Sequence, residues 1–303
     1  MVVQINDVIV KAFKELSPLP QHSYVIIIDG LDECDDKATQ QLILRLLCQM
    51  ITVHKLPLRF LIGSRPESHI RASFEQESLH TITYRVVLDE TFDPGRDIRV
   101  FLKDGFAKIC AENSILSNVE QPWPSENIID LLVKRSSGQF IYATTVLGFV
   151  GADFCSPMKQ LELVLKTDPM AFKFSDLDQL YTQILSVYPN EAKITQVLGF
   201  IIAFDEKNLP EVIEDILGMD EGGLKLVLRG LLSLMKDEKN GNGERLNKGV
   251  ISYAIPDFAH ASFVDYLFDA SRSGSFHVDR LEYKNQVTIR SFEFIIKLIR
   301  SRR

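Results

Sequence analysis

The sequence predicts an α/β unit built on a parallel sheet, then an all-helical region, then helices closing on a hairpin in the layout of a winged helix. Three observations carry this expectation. Residues 24–28 and 59–62 are short apolar runs separated by a helical pattern, the alternation that makes βαβ units and a parallel sheet. Beyond Asp93-Pro94-Gly95, apolar residues recur at helical spacing. Further on, a polar stretch with Gly241 and Gly243 leads into strand-like 251–255.

Bulk properties set the limits. Of the 303 residues, 46% are apolar and 25% charged, the balance of a globular protein long enough for two or three domains. A net charge of −7 argues against general nucleic-acid binding, which shows a basic excess. Cys34, Cys48, Cys110 and Cys155 include no C-x-x-C pair, so reduced, buried thiols in a cytoplasmic protein are expected. The first residues show no secretory signal. The longest candidate span, 140–149, is too short to cross a membrane and reads as a core helix.

The elements follow in order. Residues 24–28 form a strand, 39–53 a helix carrying Leu42, Leu46, Cys48 and Met50, and 59–62 a second strand stopped by Gly63. Residues 70–74 form a short helix, and 81–88 are rich in β-formers. Ile98, Phe101, Leu102 and Phe106 mark the next helix. Pro122-Trp123-Pro124 is a break, after which Ser125 is placed to cap a helix holding Ile128, Ile129, Leu131 and Leu132. Gly138 separates this from the helix at 140–150, and Pro157 opens another. Helices are expected at 177–187, 194–203, 212–217, 224–235 and 260–268, with 236–248 an exposed loop or hairpin tip. These patterns divide the chain at 1–90, 91–166, 167–280 and 281–303, the last a tail or the start of a further helical region.

The chemistry concentrates where the first strand ends. In parallel α/β sheets ligands bind beyond the carboxyl ends of the strands. Asp29 stands there, suited to hold Mg²⁺ beside nucleotide phosphates. Glu33 is placed to polarise an attacking water, and Asp32 to support either role. The competing reading makes Asp29-Gly30 a turn and gives Asp32, Asp35 and Asp36 to capping the next helix. The second strand ends in Ser64-Arg65, and an arginine there can face a terminal phosphate or pair with Glu67 or Asp32. His260 read by itself is a hydrogen-bonded core residue. Neither Ser262 nor Asp265 is spaced to form a triad with it. Histidine ligands at metal-binding spacing are lacking, which disfavours a nucleotide-free metal hydrolase.

Taken together, these segments resemble the NACHT-type P-loop NTPases of the STAND class, in particular the fungal proteins with a nephrocystin-3-like N-terminal domain. The resemblance rests on 24–36 as a Walker B segment with the added acids Asp32-Glu33, and on 60–67 as a sensor strand ending Ser64-Arg65-Pro66-Glu67. It also rests on Ser137-Gly138-Gln139-Phe140-Ile141-Tyr142-Ala143, on 177–181, and on 260–267 followed by Ser271-Arg272-Ser273-Gly274. It implies a partial P-loop NTPase core at 1–90, a helical domain and a winged-helix domain. It further implies a nucleotide switch in which ADP holds a closed state, and ATP exchange permits self-oligomerisation and contact with protein partners. In that scheme Asp29 serves Mg²⁺, and Glu33 and Asp32 serve hydrolysis. Arg65 and Ser64 face the γ-phosphate, His260 the β-phosphate, and Phe140 the adenine.

The chain departs from the family in two respects: Phe140 stands where relatives often have proline, and the phosphate loop is missing. No G-x-x-x-x-G-K-[ST] loop occurs, nor even a Gly-Lys dipeptide. Such a loop supplies most of the phosphate grip. The chain therefore reads as a central fragment in which ATP, ADP or GTP binding is expected to be weak or absent, and its standing as an enzyme is open. A non-hydrolysing protein-interaction scaffold is the alternative. A DNA-binding winged helix is less favoured, because Asp215, Asp220 and Glu221 outweigh Lys225 and Arg229 there.

Overall fold

A computed structural model describes residues 9–15, 22–34, 36–88, 93–152, 155–166, 175–188, 190–203, 210–236 and 257–301. The chain divides into two compact units, Met1–Leu88 and Asp89–Arg303.

In the first unit α1 (Lys11–Glu15) precedes β1 (Tyr24–Ile28), which leads through a 3₁₀ turn, Leu31–Glu33, into α2 (Lys37–Thr52). β2 (Leu58–Ile62) returns parallel to β1, with Tyr24 opposite Leu58 and Ile28 opposite Ile62. α3 (Ser68–Glu75) and α4 (Glu77–His80) follow. Parallel strands need a crossover between them, and α2 supplies it. Asp36 starts that helix by accepting a hydrogen bond from the Thr39 N–H at 2.8 Å. Leu47 and Met50 of α2 pack with Leu58, Ile26, Ile28, Phe60 and Ile62 on one sheet face. Leu44 and Cys48 join Leu31, Ile70 and Leu79 in a second small cluster.

The side chains on the other sheet face are exposed. Val25 is 61%, Ile27 70% and Leu61 61% exposed, although parallel sheets are normally covered on both faces. Among the described residues the sheet has only these two strands. The β-rich segment 81–88 corrects the sequence expectation, because it forms no strand, and Tyr84, Val86, Val87 and Leu88 are exposed. Strand propensity is realised through a ladder partner and a packed face, and this segment has neither. The strand expected at 251–255 and the loop at 237–248 lie outside the described residues.

The second unit is helical: α5 (Pro94–Glu112), α6 (Glu126–Ser136), α7 (Phe140–Val150), α8 (Pro157–Leu165), α9 (Asp176–Ser186), α10 (Glu191–Ala203), α11 (Pro210–Leu217), α12 (Gly223–Gly230), α13 (Ala261–Phe268), α14 (Ala270–Ser273) and α15 (Arg280–Ser301). One isolated antiparallel bridge joins Met235 to Phe258. A continuous core runs from Ile98, Leu102 and Phe106 through Tyr142 and Val146 to Tyr181, Phe200, Phe263 and Tyr266. Gly199 of α10 lets the Tyr283 ring of α15 rest on the backbone: a Cβ there would lie 2.2 Å from the ring. Pro157 opens α8 as expected, whereas the Ser125 side chain makes no capping hydrogen bond to α6.

No disulfide joins the cysteines. The expectation of burial holds for Cys48 and fails for Cys155, which is exposed at the turn before α8. Among the described residues no helix is long and apolar enough to cross a membrane.

Candidate functional site

The β1–α2 turn is built by one backbone reversal. Gly30 takes φ 71° and ψ 45°, a left-handed conformation that favours glycine. The chain then winds through Leu31, whose buried side chain anchors the 3₁₀ turn. Backbone hydrogen bonds tie this turn to the end of β2: Gly63 N–H donates to the Ile28 carbonyl at 2.8 Å, and Leu31 N–H to the Gly63 carbonyl at 3.1 Å. The two strand ends therefore form one piece.

Asp32 is the hub of that piece. One carboxylate oxygen, Oδ1, accepts from the Arg65 backbone N–H at 3.0 Å and from the Ser64 hydroxyl at 3.2 Å. The other, Oδ2, pairs with Arg65 Nε at 3.3 Å. Its side chain is 6% exposed against 41% for Arg65. Of the two sequence readings of Arg65 as an ion-pair partner, the structure brings it to Asp32. Asp36, not Asp32, caps α2. An acid whose two oxygens are engaged by the neighbouring strand end holds geometry.

Asp29 and Glu33 differ from it. Both are exposed, and among the described residues neither carboxylate has a hydrogen-bond or ion partner. The Asp29 carboxylate lies across Gly63, its Oδ1 2.8 Å from where a Cβ on that residue would stand. That of Glu33 folds back over Gly30, 3.2 Å from the equivalent point. Each acid is thus seated on a glycine beside the end of β1. The donor set is hard oxygen, which suits Mg²⁺ held by one or two carboxylates with ligand oxygens completing its shell. An all-protein metal cage is lacking: no group of three or more His, Cys, Asp or Glu fits one among the described residues.

Sequence reasoning missed the brace behind the turn. Buried Gln40 of α2 donates from Nε2 to the Asp32 and Cys34 carbonyls at 3.0 and 2.9 Å. Its Oε1 must then accept, so His69 Nε2 of α3 carries the proton of the close His69–Gln40 contact. Glu67 stands 3.5 Å from the other ring nitrogen. A glutamine inside an amphipathic helix gives no sequence signal for this. The one available clue was its place four residues into a helix that begins just after the acidic turn.

Two predicted site residues belong to the second unit. Phe140 begins α7 and is part-exposed, meeting Phe101 of α5 edge-on with centroids 5.7 Å apart. His260 is the N-cap of α13: its Nδ1 accepts from the Ser262 N–H at 3.1 Å and lies 2.7 Å from the Ser262 hydroxyl. That hydroxyl is 2.8 Å from the Tyr181 phenol of α9. Two more polar bridges leave α9: Thr182 to Tyr266 of α13 at 2.8 Å, and Asp178 to Arg272 of α14 through bonds of 2.6 and 3.1 Å. Burial pushes the Tyr181 and Tyr266 phenols up to about 12.

Residues 4–65 match the family model described as Nephrocystin 3, N-terminal. The matched stretch contains β1, α2, β2 and the strand-end residues through Arg65. No curated protein and no solved structure matches the chain.

Proposed function

We propose that this chain is a regulatory module of the NACHT-type signal-transduction NTPases, with its first unit part of a P-loop NTPase core and the helices after 167 forming a winged-helix domain. One observation supports this most. At the carboxyl end of a parallel strand, two carboxylates without a partner among the described residues flank a turn to which Arg65 is fixed by a third, engaged one. This is the chemistry a metal–nucleotide complex requires: oxygen donors for the ion and a guanidinium for phosphate oxygens.

The residues divide the work. Asp29 takes the metal side, directly or through water. Mg²⁺, when bound, neutralises charge on the phosphate oxygens. Glu33 accepts a proton from an attacking water. Asp32 keeps Ser64 and Arg65 in register with the turn, a role we place ahead of direct catalysis. Arg65 offers its guanidinium to the terminal phosphate; in the second unit, His260 offers its outer ring nitrogen to a phosphate. Phe140 offers a ring face to the base. ATP and ADP are the expected ligands, with GTP an open alternative. A switch of this kind works through contacts that differ between the two nucleotide states, and its outputs are protein partners and self-association in the cytoplasm.

A second reading, the non-hydrolysing scaffold, has an observation of its own. Arg65 is already paired with Asp32, and the sequence offers no phosphate-loop lysine to compensate. Equilibrium titration of the full chain with fluorescent ADP and ATP, with Mg²⁺, separates the two. Saturable binding tighter than about 1 mM, weakened by Asp29→Ala and Arg65→Ala, supports the switch. Absence of saturation leaves the scaffold.

A further inference from the structure

Ser262 lies between two groups of opposite demand. On one side is His260 Nδ1, on the other the Tyr181 phenol. The directions of these bonds follow from donor counting. The Ser262 backbone N–H points at Nδ1 at 3.1 Å, so that nitrogen is an acceptor and carries no proton. The Ser262 hydroxyl, 2.7 Å from the same nitrogen, must then donate to it. Having spent its only hydrogen, the hydroxyl oxygen must accept from Tyr181. The phenol is able to give: burial holds it in its neutral form up to about 12.

We infer that Tyr181 and Ser262 are positioning residues that fix the His260 imidazole as its Nε2–H tautomer, so that the ring presents an N–H donor on the side away from α13. The inference rests on the reading above for the ligand, a phosphate group, but not for the tautomer. Anion recognition by a neutral imidazole needs a donor facing the anion, and the relay supplies it without requiring a charged ring. Among the described residues Nε2 has no hydrogen-bond partner. The relay also spans two elements, so the same hydroxyl that sets the proton on His260 reports how α9 sits against α13.

His277 offers an internal contrast. Its Nδ1 lies 3.1 Å from the Leu267 carbonyl, which can only accept, so that ring nitrogen carries a proton. One unit thus contains two histidines with opposite assignments.

Long-range proton–nitrogen correlation spectra of the ¹⁵N-labelled full chain, at slightly alkaline pH, read both rings directly. The six histidines are assigned by single replacement. His260 is expected protonated on Nε2 and His277 on Nδ1. Ser262→Ala should raise the Nδ1–H population of His260, and Ser262→Thr, which restores the hydroxyl, should return it. Tyr181→Phe should shift it in the same direction by less. An Nδ1–H tautomer in the wild-type chain overturns the inference. So does a Ser262→Ala spectrum with the wild-type tautomer ratio, which assigns control to the backbone N–H alone. The ligand is tested separately with ADP, whose affinity Ser262→Ala should lower by about fivefold, the loss of one hydrogen bond, with recovery in Ser262→Thr. A chain that binds no ADP but shows the tautomer pattern rejects the nucleotide reading and retains the relay.

Discussion

Removing the Asp32 carboxylate should loosen the join between the two strand ends. Asp32→Ala deletes the acceptor of two neutral donors, the Arg65 N–H and the Ser64 hydroxyl, together with the pair to Arg65 Nε. A hydrogen bond to a charged group is worth about 1.5–3 kcal/mol. Two such bonds set a ceiling of several kcal/mol. Ser64 and Arg65 are exposed, so water replaces much of what they lose, and the pair to a guanidinium this open adds only about 0.5 kcal/mol. The net expectation is about 2 kcal/mol for Asp32→Ala. Asp32→Asn keeps an oxygen where Oδ1 stands and should cost about half as much. The two units need not unfold together, so a global melt would mix them. Native-state hydrogen exchange at the Gly63 and Leu31 amides, whose bonds tie the turn to β2, reads the join itself. Exchange there should accelerate about 30-fold in Asp32→Ala, with α9 and α13 amides unchanged. Equal rates in the alanine and asparagine variants, or no acceleration in either, would refute the clamp.

Three further outcomes are expected. Gly199→Ala should destabilise the second unit by about 1–3 kcal/mol through overpacking against the Tyr283 ring, seen as a lower Tm in the transition followed by Trp123 fluorescence. The Thr39 N–H, and then its hydroxyl, hold the Asp36 carboxyl below the usual carboxylate range. Its contribution to α2 should be complete above that range and lost as pH falls through the depressed value; Asp36→Asn should keep the cap but abolish the pH dependence of the Thr39 amide shift. Burial raises the Tyr181 and Tyr266 phenols from 10 to about 12, so their stabilisation should be intact below pH 10 and lost as pH rises through 12. An alkaline absorbance titration that ionised all eight tyrosines together near 10 would contradict this.

Local pattern made much of the fold legible. The strand at 24–28 was readable to the residue, because five apolar residues bounded by polar ones have few other homes, and the 39–53 helix differs from α2 only at its ends. Segment 81–88 misled because its propensity is a statement about a partner the described residues do not contain. At the site, sequence placed Asp29, Asp32, Glu33, Ser64 and Arg65 at adjoining strand ends. It could not tell which acid is spent on holding the turn, since that depends on bonds across a separation of more than thirty residues. The Gln40 brace and the Asp178–Arg272 pair were invisible for the same reason: their partners meet only after folding. His260 was read as an ordinary core histidine on its own spacing. Its N-cap geometry becomes visible only once Ser262 N–H is seen to point at the ring.

Among the described residues, the three polar links from α9 to α13 and α14 named above arise within little more than one helical turn, at Asp178, Tyr181 and Thr182. A rotation of α9 about its own axis would therefore strain all three together. The joint works as a gear tooth does: a rearrangement that turned α9 would have to carry α13 and α14 with it or break these links.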